Sequence, residues 1–329
     1  MTITFGSLFS GIGGFDLALG RSGMECKWQV EKDIYCRDIL NIHWKNVVKY
    51  GDIQDVGKHN LEQVDLICGG FPCTDVSIGG KRAGFEGKQS SLWFEFERII
   101  SELRPKWVII ENVPGLLSSR RGNDFEIILK ALDKLGYGIS WRIFDSKNFG
   151  SAQRRRRVFI VASLGSLCSG EVLFEPESLF SINSKSTESG KGITGTDKTS
   201  NVDNGKGLTV DHEGILFYNI HRNDDGRKDR PNGGMYIEET NTGLTIQTKA
   251  GKSNTYVVIY GDNICCYRRG IRKLTPLETE RLQGFPDRWT NNGQSDTQRY
   301  KQLGNAVTVS VVEWIAKRIV DMENTSEIL

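Results

Sequence analysis

Through the first half of the chain, short unbroken apolar runs alternate with longer stretches whose apolar residues recur every three or four positions. The first rhythm is that of strands buried on both faces, the second that of helices with one buried stripe. Strands are expected at Ile3 to Phe9, Lys27 to Val30, Val64 to Cys68, Trp107 to Ile110, Ile139 to Phe144 and Val158 to Ala162. Helices are expected between them over Gly13 to Gly20, Asp33 to His43, Ser91 to Leu103 and Asn123 to Leu135. Asp33 and Ser91 stand where helix N-caps belong. Pro105 and Gly136 stand just past helix ends. Leu92, Phe96, Ile99, Ile100 and Leu103 form one apolar helix face. This alternation predicts an α/β fold: a doubly wound, mostly parallel, Rossmann-like sheet with helices on both faces.

The rhythm breaks near Ser181. Residues 181–207 are rich in Ser, Thr, Gly, Asn and Lys and nearly lack large apolar side chains, the composition of a flexible excursion. Short polar strands are expected after it, at Ile215 to Ile220, Leu244 to Gln247 and Tyr256 to Tyr260, which together read as a small, mostly β domain. Helical order returns at Thr275-Pro276-Leu277-Glu278, a capping box with proline at the first helical position, and Gly284 ends that helix. Val307, Val311, Ile315 and Ile319 give the last helix a core-facing stripe. The expected division is a large domain over 1–164, a small one over 165–271, and C-terminal helices over 272–329, the last returning to the large domain.

Composition narrows the classes. The chain has 329 residues, 38% hydrophobic and 26% charged, with a net charge of +2, ordinary values for a soluble enzyme. Basic residues nevertheless cluster at Arg154-Arg155-Arg156-Arg157 and at Arg268-Arg269-Gly270-Ile271-Arg272-Lys273. The seven cysteines include no Cys-x-x-Cys pair, and the four histidines have no ligand spacing to a cysteine. Neither a disulfide framework nor a metal site is expected. With no signal-like N-terminus and no membrane-length apolar run, a cytoplasmic protein with reduced thiols is expected.

Chemistry gathers where the strands end. In an open α/β sheet, ligands collect outside the carboxyl ends of the strands. The first strand runs into Phe9-Ser10-Gly11-Ile12-Gly13-Gly14, a turn that lets a ligand approach the backbone. The second ends at Glu31, at the spacing where an acid holds ribose hydroxyls. Loop and acid together point to an adenosine-containing cofactor, with Asp52-Ile53 closing over the adenine. A third strand ends in Gly69-Gly70-Phe71-Pro72-Cys73, and a fourth in Glu111-Asn112-Val113. Cys73, on a loop stiffened by Pro72, is placed as a nucleophile. Glu111 is placed as its proton donor. The glycine- and lysine-rich stretch Thr74 to Gln89, with Ser77, Lys81 and Arg82, suits a lid over a polyanion.

In these motifs, and in Gln153-Arg154-Arg155-Arg156-Arg157, Arg281-Leu282-Gln283-Gly284-Phe285-Pro286 and Gly304-Asn305-Ala306-Val307, the chain resembles the DNA cytosine-5 methyltransferases of bacteria and phages, in that family's motif order. The resemblance implies S-adenosyl-L-methionine as cofactor. It implies cofactor contacts at Phe9, Gly11, Ile12, Gly13, Gly14, Glu31, Asp52, Ile53, Pro72, Leu92, Asn305 and Val307. It implies catalysis by Cys73 and Glu111, with Arg157 at the cytosine O2 and Arg155 holding a closed loop or a phosphate. Double-stranded DNA is the implied partner, read by the small domain, where Thr242-Gly243-Leu244 resembles a family motif. Ser77, Lys81, Arg82, Gln153, Arg222, Thr242, Leu244 and Gln247 are its candidate contacts. A monomer is expected, with a restriction endonuclease acting separately as a candidate partner. Two departures stand out: Thr74-Asp75 follow the Pro-Cys where glutamine is usual, and Lys32 follows Glu31 where an aromatic residue often stacks on adenine. Methylation of cytosine in tRNA, a non-catalytic DNA- and cofactor-binding role, and a nicotinamide dehydrogenase are the competing readings.

Overall fold

The protein was described in a computed structural model covering residues 2–72, 91–165, 169–174, 215–222, 235–240, 255–259 and 270–326, the side chains of 91, 215–222, 235–240, 255–259, 270–273 and 326 excepted. Cys73, the stretch 74–89, the excursion 181–207 and Thr242, Leu244 and Gln247 lie outside the described residues.

The main sheet has seven strands: β1 (Thr4–Leu8), β2 (Glu25–Val30), β3 (Val48–Tyr50), β4 (Leu66–Gly69), β5 (Trp107–Asn112), β6 (Tyr137–Asp145) and β7 (Arg156–Leu164), in the order β3-β2-β1-β4-β5-β7-β6. The pairs among the first five are parallel, whereas β7 lies antiparallel between β5 and β6. The chain winds outward from β1 to β2 and β3, then crosses back to β4. That leaves a topological switch point between β1 and β4, the place in such sheets where ligands bind at the carboxyl edge.

Side-chain alternation splits the core into two layers. On β5, Trp107 and Ile109 enter one layer while Val108 and Ile110 enter the other; on β4, Leu66 and Cys68 oppose Ile67 in the same way. Helices α1 (Gly14–Arg21) and α2 (Ile34–His43) follow β1 and β2, α3 (Ser91–Leu103) precedes β5, and α4 (Asn123–Lys134) follows it. Phe96 and Ile99 of α3 and Ile128 of α4 cover one face of the sheet. Phe15 and Leu19 of α1 cover the other. Each such large side chain contributes about 1.5–3 kcal/mol by leaving water. The Asp33 carboxylate caps α2 by accepting from the Tyr35 N–H at 2.9 Å.

The C-terminal helices pack on the large domain's sheet. After α5 (Ser169–Leu173) and the small sheet come α6 (Pro276–Gln283), α7 (Asp296–Asn305) and α8 (Val309–Ser326). Val312, Ile315 and Ile319 of α8 lie in the layer that holds Phe15 and Leu19. The capping box is present: the Thr275 hydroxyl accepts from the Glu278 N–H at 3.3 Å, and the Glu278 carboxylate accepts from the Thr275 N–H at 2.6 Å. Val307 precedes α8 instead of starting it. Val172 and Leu173 of α5 are buried in the large domain's core, so its packing extends past residue 164.

The small sheet is antiparallel, in the order β11-β10-β8-β9, from β8 (Ile215–Arg222), β9 (Met235–Thr240), β10 (Thr255–Ile259) and β11 (Gly270–Lys273). Sequence patterning missed β3, β9, β11, α5 and α7. Strand β3 is three residues on a sheet edge, and α7 carries mostly polar residues, so neither shows a strong period.

Candidate active site

Because β1, β2, β3, β4 and β5 run parallel, their carboxyl ends bring the expected acids and glycines to one edge. At the end of β1 the backbone turns through Phe9 and Gly11, both left-handed, at φ 53° and 56°. The Gly11 N–H donates to Glu31 Oε2 at 2.8 Å, and the Asp33 N–H to Oε1 at 2.7 Å. Burial pushes the Glu31 carboxyl above its ordinary value, and the two backbone donors pull against that shift. Beside it, at the end of β3, Asp52 Oδ2 pairs with Lys32 Nζ at 2.6 Å while Oδ1 accepts from the Gln54 N–H at 3.2 Å. The Lys32 bond holds the Asp52 carboxyl below its usual range. Ile53 is buried next to it.

The second half of the edge is built differently. Glu111, on β5, accepts from Arg157 Nε at 2.9 Å. In the antiparallel β5–β7 register Glu111 faces Phe159, so Arg157, two residues along β7, is its diagonal neighbour on the same face. An antiparallel strand starts where its parallel neighbours end, which is why a cation arrives at this edge. Burial pushes the Arg157 guanidinium below its ordinary value, and the Glu111 charge opposes that. A Cβ on Gly70 would sit 2.8 Å from Glu111 Oε2, so a side chain there would have to displace the carboxylate. The next residue of β5, Asn112, is buried and donates Nδ2–H to the Phe71 carbonyl at 3.2 Å. The segment leading to Cys73 is thus tied to the strand that carries Glu111. Phe71 packs on Trp93 at 5.6 Å between ring centroids, and Pro72 is exposed.

Comparison with known proteins identifies the family. The family model for C-5 cytosine-specific DNA methylases matches residues 3–321. The sequence is 30% identical over 323 residues to Type II methyltransferase M.HhaI of Haemophilus parahaemolyticus, spanning 96% of this chain and 94% of that protein. It is 32% identical over 327 residues to M.HpaII of Haemophilus parainfluenzae, spanning 97% and 89%. The chain belongs to the C-5 cytosine-specific DNA methylase family. It is therefore a DNA cytosine-5 methyltransferase that uses S-adenosyl-L-methionine. In fold it is similar to the Entamoeba histolytica methyltransferase EhMeth, with a TM-score of 0.66 at 18% identity, covering 98% of this chain and 99% of that one.

The methylase's first loop has room for such a cofactor. A Cβ on Gly11 would meet nothing closer than the Phe9 carbonyl at 4.0 Å, so the space before the loop is open beside the Glu31 carboxylate. Of the other expected contacts, Asn305 is exposed at the end of α7, and Leu92 is half-buried against the α3 side of the core. Ile12 and Val307 turn into the core instead, where Val307 lies against Gly14.

Two expected roles change. Arg155 is buried and donates Nη2–H to the carbonyls of Gly304 and Ala306 at 3.1 and 2.8 Å, so it braces the turn between α7 and α8 instead of facing a phosphate. Gln153 is also buried, its carbonyl accepting from Ser146 Oγ at 2.7 Å, and is not on a DNA-facing surface. Both follow from the alternation of 153, 155 and 157 toward the interior while 154 and 156 face out. Asn112, Gly70 and Lys32 were not among the expected site residues. The Glu-Asn-Val motif held the signal for the first of them. Among the described residues no helix is long and apolar enough to cross a membrane.

Proposed function

We propose that the methylase works on a cytosine swung out of duplex DNA, through a transient bond between Cys73 Sγ and cytosine C6. Cytosine C5 is a poor nucleophile. Thiolate addition at C6 converts the ring to an enamine with electron density at C5, splitting one hard step into two easier ones. S-adenosyl-L-methionine supplies a methyl group activated on a sulfonium. Negative charge develops toward N3 and O2 as the thiolate adds. Glu111 delivers a proton at N3, and Arg157 stabilises O2. A water then takes the C5 proton, the C5–H electron pair expels the thiolate from C6, and the N3 proton returns to Glu111, restoring the ring. The observation that carries this reading is the Glu111–Arg157 pair, 2.9 Å apart and packed over Gly70 on the segment leading to Cys73.

Flipping the base costs a few kcal/mol, which phosphate contacts offset. Ser77, Lys81 and Arg82 are placed at those contacts. Arg222, Thr242, Leu244 and Gln247 of the small domain read a specific sequence in the major groove. Phe9, Gly11, Gly13, Gly14, Glu31, Asp52, Ile53, Pro72, Leu92 and Asn305 form the cofactor pocket. The protein acts as a cytoplasmic monomer, with a restriction endonuclease of the same sequence specificity as its separate partner.

Duplex DNA carrying 5-fluorocytosine tests the chemistry, because fluorine cannot leave as a proton does and the thiol adduct is trapped. The wild type is expected to form a denaturation-resistant complex, and Cys73→Ser to form none and transfer no methyl group while still binding cofactor. Near-normal turnover by Cys73→Ser would exclude the assignment.

A further inference from the structure

We infer that Trp289 is a positioning residue for the cofactor loop, acting through its indole N–H as well as by filling space; this rests on the assignment of Phe9–Gly14 to the cofactor pocket. The indole Nε1–H donates to the Ile12 carbonyl at 2.9 Å, across 277 residues of sequence. Ile12 lies between Gly11, whose N–H is held by Glu31, and Gly13, which begins α1 in the left-handed conformation at φ 83°. The loop is therefore pinned at two points, on its cofactor side by an acid and on its inner side by an indole.

The indole is itself held in plane. His43 stacks on it at 3.5 Å and 3° between rings, and His43 Nε2 lies 3.0 Å from the Trp289 carbonyl. Trp44 stands edge-on to the indole at 5.6 Å and fills the space where a Gly13 Cβ would go, 2.4 Å away. The backbone after Trp289 is anchored by Glu280, which accepts from the Thr290 N–H at 2.9 Å and from Arg299 at 3.2 Å. The same segment reaches the acid side of the pocket, where Lys301 donates to Asp33 at 3.1 Å and Gln294 to the Tyr35 carbonyl at 2.9 Å. Asp33 holds Glu31 through its N–H and caps α2, whose first turn contains Tyr35. A C-terminal segment that touches the loop, its cap and the neighbour of its acid sets their spacing.

Trp289→Phe keeps an aromatic ring and removes the donor, leaving the Ile12 carbonyl unpaired. The affinity of the full-length protein for S-adenosyl-L-methionine, measured by calorimetry without DNA, is expected to fall about three- to tenfold. The KM for the cofactor should rise by a similar factor while kcat falls by less. Val312→Ala, a cavity elsewhere in the same core, should lower the unfolding midpoint at least as much and leave cofactor affinity unchanged. His43→Leu, which removes the stacked ring but keeps the indole, should weaken binding in the same direction as Trp289→Phe. Wild-type affinity in either Trp289→Phe or His43→Leu overturns the inference, as does an equal loss in Val312→Ala. A wild-type protein that binds no cofactor would instead sink the pocket assignment on which the inference rests.

Discussion

The two halves of the active edge handle carboxylates in opposite ways. At the ends of β1, β2 and β3, Glu31 is bound by backbone N–H groups of Gly11 and Asp33. At the ends of β4, β5 and β7, Glu111 is bound by a guanidinium. Backbone donors are fixed by the fold and carry no net charge, which suits a pocket that holds one ligand in one pose. A guanidinium on a side chain can share its donors with an incoming base, which suits the half where charge develops during reaction. The difference comes from topology: the parallel strands set Glu31 against backbone turns, and the one antiparallel strand of the main sheet sets Arg157 beside Glu111.

The sharpest way to break the contrast is Glu111→Gln. The amide keeps the shape and removes the proton that the base half supplies, so kcat is expected to fall about 10²–10⁴-fold. Cofactor affinity, which belongs to the other half, should stay at the wild-type value in calorimetry. A variant that loses both equally would make Glu111 a structural residue and erase the division. Gly70→Ala probes the same half more gently. Its methyl group would lie 2.8 Å from Glu111 Oε2 and must push the carboxylate aside. Displacing a reacting group by such a distance costs about tenfold to a hundredfold in kcat. The expected pattern is a kcat defect with urea unfolding close to wild type, and unchanged kcat would show that the contact has slack.

How much of this was legible in the sequence follows the same line. The cofactor half is local in sequence: a glycine turn after one strand, an acid at the end of the next. Periodicity and spacing were enough to place Gly11 and Glu31 together. The nucleophile segment and Glu111 were legible as strand ends, since Leu66–Gly69 and Trp107–Asn112 are unbroken apolar runs closed by glycine or an acid. The resemblance set Glu111 and Arg157 on the same base, but their ion pair was not legible, because nothing in the local pattern says that β7 inserts antiparallel beside β5. Arg155 shows the limit: the resemblance placed it at a closed loop or a phosphate, but the turn at Gly304–Ala306 covers it, and that turn lies about 150 positions further along the chain. Trp289 carried no signal at all, since a tryptophan after Phe-Pro reads as core until its partner at Ile12 is known.

The smallest expected effect tests whether the buried acids of the cofactor half are held without cations, as Glu31 is and as the more exposed Asp52, paired with Lys32, is not. Beneath its loop, Asp16 of α1 is buried, with Oδ2 accepting from Ser7 Oγ at 3.1 Å and Oδ1 from Gln29 Nε2 at 2.8 Å and the Cys26 thiol at 3.5 Å. Burial pushes its carboxyl above the ordinary value of 3.8, and the Gln29 and Ser7 bonds only partly offset that. A carboxyl whose folded pKa is raised contributes stability that is fully present below the unfolded value and is lost as pH climbs through the folded one. Asp16→Asn does not titrate; its one oxygen can accept from Ser7 while its NH2 donates to Gln29 Oε1, which has no partner in the wild type, once the Gln29 amide turns over. Relative to wild type, the variant should therefore gain stability as pH rises from 4 toward 8, then level off. Urea midpoints at the two ends of that range would show it. A difference that stays constant, or that turns against asparagine at the higher pH, would mean that Asp16 is stabilised as an anion by its neighbours, and the two halves of the edge would be more alike than their geometry suggests.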